Sequence, residues 1–279
     1  MGKLFERMYI GNPNKKDLTK KDVAKQSRFS LFFTVLKVRG LNLMWLNLLY
    51  SVFLLPTYIV IFLALLQYGT SLNSQNPMGF ADVVWYLYLL FPCMLIATPG
   101  TLGFTNVLHR WANDEHAWFS DFWTGIKKNW KQGLIVTVIN YVVLFFLIYC
   151  SYFYYSMAGK NSDNEVLNTV FSMGIYIMYL LVGCIFVYFM VHLYVYPMLV
   201  RYKLKIKNIY KYSFVLAFRN ILGSVVCVIG LAAFLYFCMV VPYMMYVIPV
   251  IGIVLPYLAV YVYMGGVFNK NVFIDVKDY

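Results

Sequence analysis

The chain has 279 residues, of which 62% are hydrophobic and only 12% are charged, and its formal net charge is +12. A soluble domain carries roughly 25% charged residues, because its surface has to be hydrated. The composition therefore excludes a soluble globular domain, a disordered chain and a small disulfide-rich secreted module.

Five long stretches without Asp, Glu, Lys or Arg predict the membrane-spanning helices. They cover 40–81, 83–107, 132–159, 166–200 and 220–269, and each exceeds the roughly 20 apolar residues that cross a bilayer. The first four predict spans at about 41–66, 83–107, 133–155 and 170–199. The last stretch is about two crossings long, so we expect a helical hairpin that turns near Pro242 to Pro249. The sequence thus predicts an all-α polytopic membrane protein with about six transmembrane helices.

The distribution of Lys and Arg predicts the orientation of these spans. With the N-terminus inside, all of the 23 basic residues except Lys160 lie in cytoplasmic segments, as the positive-inside rule requires. Both termini are then cytoplasmic. We expect a basic amphipathic cytoplasmic arm at 1–40 that bends near Gly40 into a single transmembrane domain at 41–268, followed by a cytoplasmic tail at 269–279. A five-span variant, in which the last hairpin is one long helix plus a surface helix, stays open.

The loop between the second and third spans is rich in aromatic residues. Large apolar residues recur there at spacings of three and four, which predicts a short helix with one aromatic face, formed by Trp118, Phe119, Phe122, Trp123, Ile126 and Trp130. Such a helix is either an anchor in the headgroup region or a docking helix for another protein, and the sequence leaves both open. For the docking hypothesis, the candidate partner-binding residues are Arg110, Trp118, Phe119, Phe122, Trp123, Lys128, Asn129, Arg219 and Asn220.

Two parts of the chain share a short pattern. Pro99 lies in a span that precedes a basic loop ending in Lys128 and Asn129, and Pro197 lies in a span that precedes one ending in Arg219 and Asn220. The pattern predicts either two parallel repeats of a span-loop-span unit or convergence on the same loop chemistry. In a chain that moved a solute, Pro99 and Pro197 would be the hinge candidates.

The sequence offers little that could perform chemistry. The spans contain a single histidine, His192, and ionisable residues inside a membrane are the usual mark of proton relays and ion coupling. There is no HExxH, GxSxG, phosphate-binding glycine loop or Cys/His cluster with metal-ligand spacing. The acidic and histidine residues near His109 read as a solvated loop. We therefore expect no enzymatic activity, no catalytic residue, no metal and no cofactor.

The composition alone supports one expected partner of the basic cytoplasmic segments, namely the anionic lipids of the membrane. Lys and Arg side chains next to a membrane bind anionic lipid headgroups, at about 1 kcal/mol each. No nucleic-acid-reading motif accompanies the charge, so we expect no nucleic-acid partner.

The chain resembles the YesL-like family of bacterial polytopic membrane proteins, a family built on a domain of unknown function. The resemblance is carried by the run Asn47 to Tyr50 with Leu55 and Pro56 in the first span, by 99–110 with the aromatic and basic residues that follow it, and by Arg219 with Asn220, and it covers most of 29–271. The basic arm, the polar loop at 159–168 and the proline-rich last hairpin depart from the family pattern.

The resemblance implies a location in the bacterial cytoplasmic membrane and an association with carbohydrate ABC importers, beside which genes of this family commonly lie. It implies no catalytic residue. The leading functional hypothesis is a non-catalytic accessory subunit that packs against ABC permease subunits. The alternative is an independent transporter or channel for a neutral or amphipathic small solute.

Overall fold

The computed structural model of the chain describes residues 27–72, 79–113, 115–117, 119–158, 165–241, 248 and 252–271. These residues form seven helices, numbered here in chain order: α1 Arg28–Leu72, α2 Phe80–Trp111, α3 Phe119–Ala158, α4 Glu165–Arg201, α5 Ile206–Arg219, α6 Ile221–Val240 and α7 Val254–Asn271. The chain has the all-α fold of a multi-pass membrane protein.

Five of the described helices, α1 to α4 and α6, are long and apolar enough to cross a membrane. The sixth predicted span corresponds to α7, which has 18 residues and is not among those five. The predicted turn at 242–249 lies outside the described residues apart from Ile248. The six-span count and the cytoplasmic placement of both termini therefore stay predictions.

The helices are longer than the spans that the sequence predicts. α1 has 45 residues and α3 has 40, which correspond to about 68 and 60 Å at 1.5 Å per residue, against a hydrocarbon core about 30 Å thick. The aromatic segment predicted as a separate short helix is instead the beginning of α3. In α1, the backbone departs from helical geometry at Arg39, with φ −117° and ψ 18°, next to the position where the sequence predicts a bend.

α2 and α3 pack closely side by side because glycines leave room for the facing side chains. A Cβ atom added at any of three glycines would come within 2.6–2.7 Å of a side chain on the opposing helix. The pairs are Gly103 with Phe122, Gly125 with Asn106, and Gly133 with Leu102. Small residues are favoured between transmembrane helices because they let the helices approach closely. The three glycines thus let α2 and α3 approach each other closely along this stretch.

α5 is a short amphipathic helix where the sequence predicts only a basic loop. Its buried face contains Ile209, Leu216 and Ala217, whereas Phe214 and Phe218 are exposed. Basic residues flank and interrupt the exposed apolar face, a composition typical of a helix that lies in the membrane interface. α5 therefore connects the end of α4 to the start of α6 along the surface of the bundle.

Candidate functional site

A cluster of charged side chains joins the ends of α2, α3 and α4. Arg110 Nη1 on α2 lies 2.8 Å from Asp121 Oδ1 on α3. Glu115, in the connection between these helices, lies 3.8 Å from Arg110 Nε and 3.5 Å from Arg201 Nη2 at the end of α4. One carboxylate therefore bridges two arginines that are 91 positions apart in the chain.

His109 belongs to this cluster and is buried. Arg201 Nη1 lies 2.8 Å from His109 Nε2, and because guanidinium has only donors, Nε2 accepts and the ring proton resides on Nδ1. Asn113 Nδ2 donates to the backbone carbonyl of His109 at 2.8 Å. The prediction that His109 lies in a solvated loop is wrong, since only 3% of its surface is exposed.

Two further helices reach the same cluster. Arg39 of α1 donates from Nη1 to the backbone carbonyl of Glu115 at 3.0 Å, and its guanidinium lies over the ring of Trp111, 5.6 Å from the centroid. Arg28, at the start of α1, packs against Gly265 and Gly266 of α7. Hydrogen bonds and ion pairs of the cluster thus tie α1, α2, α3 and α4 together at one end of the bundle, and its geometry is that of a structural clamp.

The clamp is expected to stabilise the fold through the Arg110–Asp121 pair. Because these side chains retain 24% and 20% of their exposure, we expect a coupling of about 1 kcal/mol, as for partly solvated ion pairs. A double-mutant cycle with Arg110→Gln and Asp121→Asn, read as the free energy of unfolding in detergent, measures it. Lys127→Gln, on the exposed side of α3, is the control. Strictly additive losses would show that the pair contributes nothing.

Metal binding finds no support in this part of the molecule. Within the described ranges, no group of three or more His, Cys, Asp or Glu side chains is placed to hold a metal ion. Glu115 and His116 are exposed, and Asp114 lies outside the described residues. The arrangement can hold the ends of the helices in position.

A buried asparagine holds the start of α7 inside the bundle. Asn47 of α1 accepts hydrogen bonds at Oδ1 from the backbone N–H groups of Ile253 (3.1 Å) and Val254 (2.8 Å). Its Nδ2 donates to the carbonyl oxygen of Ile248 at 2.9 Å. The first N–H groups of a helix have no partner within the helix, and none can be supplied by lipid. Asn47 is therefore the cap that allows α7 to begin within the protein interior.

Hydroxyl groups form the other polar contacts of the interior. Thr98 on α2 donates to Thr137 on α3 at 2.7 Å, and Thr137 lies 2.9 Å from the hydroxyl of Tyr196 on α4. The Tyr210 hydroxyl of α5 donates to Asn140 Oδ1 at 2.9 Å, and burial, reinforced by neighbouring tyrosines, raises the pKa of Tyr210 so that it stays neutral. These contacts between neutral groups hold the helices together, and they are not a relay of ionisable residues.

The candidate aromatic residues of α3 divide between two faces. Phe122 is fully buried against Gly103, and Asn129 is buried with its Nδ2 bonded to the carbonyl of Gly125. Phe119, Trp123 and Trp130 are 61%, 43% and 48% exposed. The expectation of one aromatic face is thus wrong, because Phe122 packs inward. Phe122 and Asn129 do not belong to an exposed surface.

The remaining predicted site residues lie in different settings. Lys128 and Arg219 are exposed, Asn220 is half-buried at the junction of α5 and α6, and Arg110 is bound within the clamp. Trp118 lies outside the described residues. The hinge candidates Pro99 and Pro197 lie inside α2 and α4, both of which continue through them.

Sequence reasoning did not single out Arg201 or assign Glu115 a role. Arg201 contacts His109 and Glu115, which are distant in the chain, and the pair of Glu115 with the nearby Arg110 belongs to no recognised motif. The one available signal was that Arg201 directly ends a long charge-free stretch, since a cation at the last turn of a span is well placed to meet the ends of neighbouring helices.

The fold is that of a multi-pass α-helical membrane protein, and the clamp joins charged side chains at one end of its helices. Comparison of the chain with protein-family models, with curated proteins and with solved structures gave no match.

Proposed function

We propose that the protein is a non-catalytic accessory subunit of the bacterial cytoplasmic membrane that associates with the permease subunits of a carbohydrate ABC importer. The importer comes from the YesL-like resemblance of the sequence. The docking role is supported by one observation, an exposed row of aromatic and basic side chains at the start of α3. We call it the aromatic ridge, and it consists of Phe119, Trp123, Lys127 and Trp130.

The ridge residues share one side of the helix. Their spacing of four, four and three places them within about 80° of one another around the axis, at 100° per residue. The adjoining side of the same segment is buried, with Phe122 and Gly125 packed against α2 and Asn129 on the same buried side. Packing against α2 therefore holds this part of α3 rigidly, while three large aromatic rings point outward. Exposed aromatic residues on a rigid support are the common anchors of protein interfaces.

The charge distribution supports the same placement. The ridge includes Lys127 and lies beside the exposed Lys128 and Lys131, and under the positive-inside rule such residues face the cytoplasm. Basic residues here would also bind anionic headgroups, so lipids are the second expected partner of this surface. Docking through the ridge would then occur at the cytoplasmic boundary of the membrane.

Substitution of the ridge tests the proposal. We expect Phe119→Ala with Trp123→Ala to lower the amount of ABC permease recovered with the tagged chain by about tenfold or more, since interface anchors contribute about 2 kcal/mol or more each. Recovery is measured by mass spectrometry after solubilisation of native membranes in mild detergent. Trp85→Ala, which removes a 62% exposed ring from α2, is the matched control and should leave recovery unchanged.

Two results would contradict the proposal. One is recovery of the wild-type chain without permease subunits, together with unchanged sugar uptake on deletion of the gene. The other is equal loss of permease for the ridge variant and for Trp85→Ala. If purified chain alone carried solutes into vesicles, the transporter hypothesis would replace the accessory one.

A further inference from the structure

A cavity of about 300 Å³ lies between α3 and α4 and is bordered at one end by α5. Its walls are mainly aliphatic, and they include Val143 and Leu147 of α3 and Val187 and Val191 of α4. Ligand-binding cavities in proteins commonly range from about 300 to 1,000 Å³ and combine apolar walls with a few polar groups. The clamp and the aromatic ridge contribute no residue to it.

The polar groups of this cavity gather at one end. Asn140 is 2% exposed, and its Oδ1 is occupied by the Tyr210 hydroxyl. Its Nδ2 is buried near the Tyr196 hydroxyl, but no acceptor in the described part of the chain lies at hydrogen-bonding geometry to it, and Nδ1 of His192 likewise makes no hydrogen bond there. Both residues line the cavity. A buried donor without a partner costs about 1–3 kcal/mol, so a ligand with an acceptor group would recover this loss.

The cavity opens on the outer surface of the bundle. Val143 and Ile139 are 42% and 37% exposed, and Cys184 on the facing helix is also exposed. All three lie in helices that are apolar enough to span the membrane, so the opening faces the lipid. A ligand would enter sideways from the bilayer, and it must therefore be largely apolar itself.

The position of α5 sets the depth of the polar end. α5 has the composition of an interfacial helix, which lies about 5–10 Å into the boundary between headgroups and acyl chains. Its Tyr210 reaches Asn140 directly, so Asn140 lies one side-chain length below that boundary. This is the region where the ester carbonyls of membrane lipids meet their acyl chains.

We propose that the cavity binds an acyl chain of a membrane lipid from the leaflet that contacts α5, with the ester carbonyl of the lipid accepting a hydrogen bond from Asn140 Nδ2. The chain lies along the aliphatic walls toward Leu147. His192 borders the carbonyl end and supplies a second polar contact. The inference is independent of the proposed docking role, because it uses no residue of the aromatic ridge.

Photocrosslinking in vesicles tests the proposal. The purified full chain is reconstituted in phosphatidylcholine that contains a trace of phosphatidylcholine with a diazirine in one acyl chain. Crosslinks to 139–147 and 184–195 are counted relative to those on α6, which serves as the internal lipid-facing reference. We expect preferential labelling of the cavity peptides, and a loss of that preference in Val143→Trp. Val142→Trp is the matched control, since Val142 is as exposed as Val143, at 43% and 42%, but does not line the cavity.

An ether-linked probe tests the hydrogen bond without changing the protein. An ether analogue with the same diazirine chain lacks the carbonyl, so we expect it to label the cavity about 2- to 10-fold less, the factor that corresponds to one hydrogen bond. Labelling of α6 by the two probes should be equal. The proposal is overturned if the cavity is labelled no more than α6, if both tryptophan variants behave alike, or if the ester and ether probes label the cavity equally.

Discussion

Replacement of Asn47 by leucine is expected to lower the free energy of unfolding by about 3–6 kcal/mol. Three buried or part-buried backbone groups lose their partner at once, and each unmet group costs about 1–3 kcal/mol, with the part-buried ones at the lower end. These groups are the carbonyl of Ile248 and the N–H groups of Ile253 and Val254. Leucine branches at the same carbon but is larger than asparagine, so a packing cost adds to this loss. The measurement is denaturant unfolding of the purified chain in detergent.

A local readout keeps this prediction testable even if Asn47→Leu folds poorly. In the milder Asn47→Ser variant, amide hydrogen exchange at Ile253 and Val254 should rise, while exchange in the middle of α3 stays unchanged. Leu48→Ala is the control, because Leu48 is an exposed neighbour on the same helix. Wild-type stability in Asn47→Leu, with unchanged exchange at the start of α7, would show that the cap is dispensable.

Adding one methyl group at Gly103 is expected to cost about 1–3 kcal/mol, the usual range for overpacking a core. The new Cβ would lie 2.7 Å from ring carbons of Phe122. The ring cannot retreat, because it is fully buried and also contacts Phe53 at 6.0 Å between centroids. α2 and α3 must therefore separate in Gly103→Ala, which also disturbs the contacts at Gly125 and Gly133.

Two matched variants isolate the steric cause of that loss. Gly183→Ala adds the same methyl group to α4, where nothing lies within 4 Å, and it should be neutral or stabilising by up to about 1 kcal/mol because alanine favours the helix. Phe122→Leu, combined with Gly103→Ala, should recover part of the lost stability. If Gly103→Ala were as stable as Gly183→Ala, the close packing of α2 and α3 would be refuted.

The sequence predicts the existence of the apolar helices better than their ends. The charge-free stretch 83–107 becomes α2 Phe80–Trp111, and 133–155 becomes part of α3 Phe119–Ala158. A membrane span is recognised in the sequence because charged residues avoid hydrocarbon. A helix, however, continues beyond the membrane wherever its backbone hydrogen bonds continue to form. Lys127 and Lys128 interrupt the apolar pattern but not the helix, so hydropathy alone places the start of α3 too late in the chain.

The candidate site was harder to predict from the sequence than the helices were, and the reason is different. Arg201 is far in the chain from His109 and Glu115, which it contacts in the clamp, and its position at the end of a charge-free stretch does not reveal which residues it contacts. The aromatic residues of α3 were found, but spacing alone did not separate the inward Phe122 from the outward Phe119. That separation depends on Gly103, which lies on another helix and opens the space that Phe122 fills.

The close approaches at two glycines of α2 also restrict how this molecule can change shape. A swing of α2 about Pro99 would have to pull Gly100 away from Phe53 of α1 and Gly103 away from Phe122 of α3 at the same time, and neither glycine leaves room for a side chain. The contacting parts of α1, α2 and α3 must therefore move as one block. Any movement between alternative shapes of the protein would occur where this block meets its less tightly fitted neighbours.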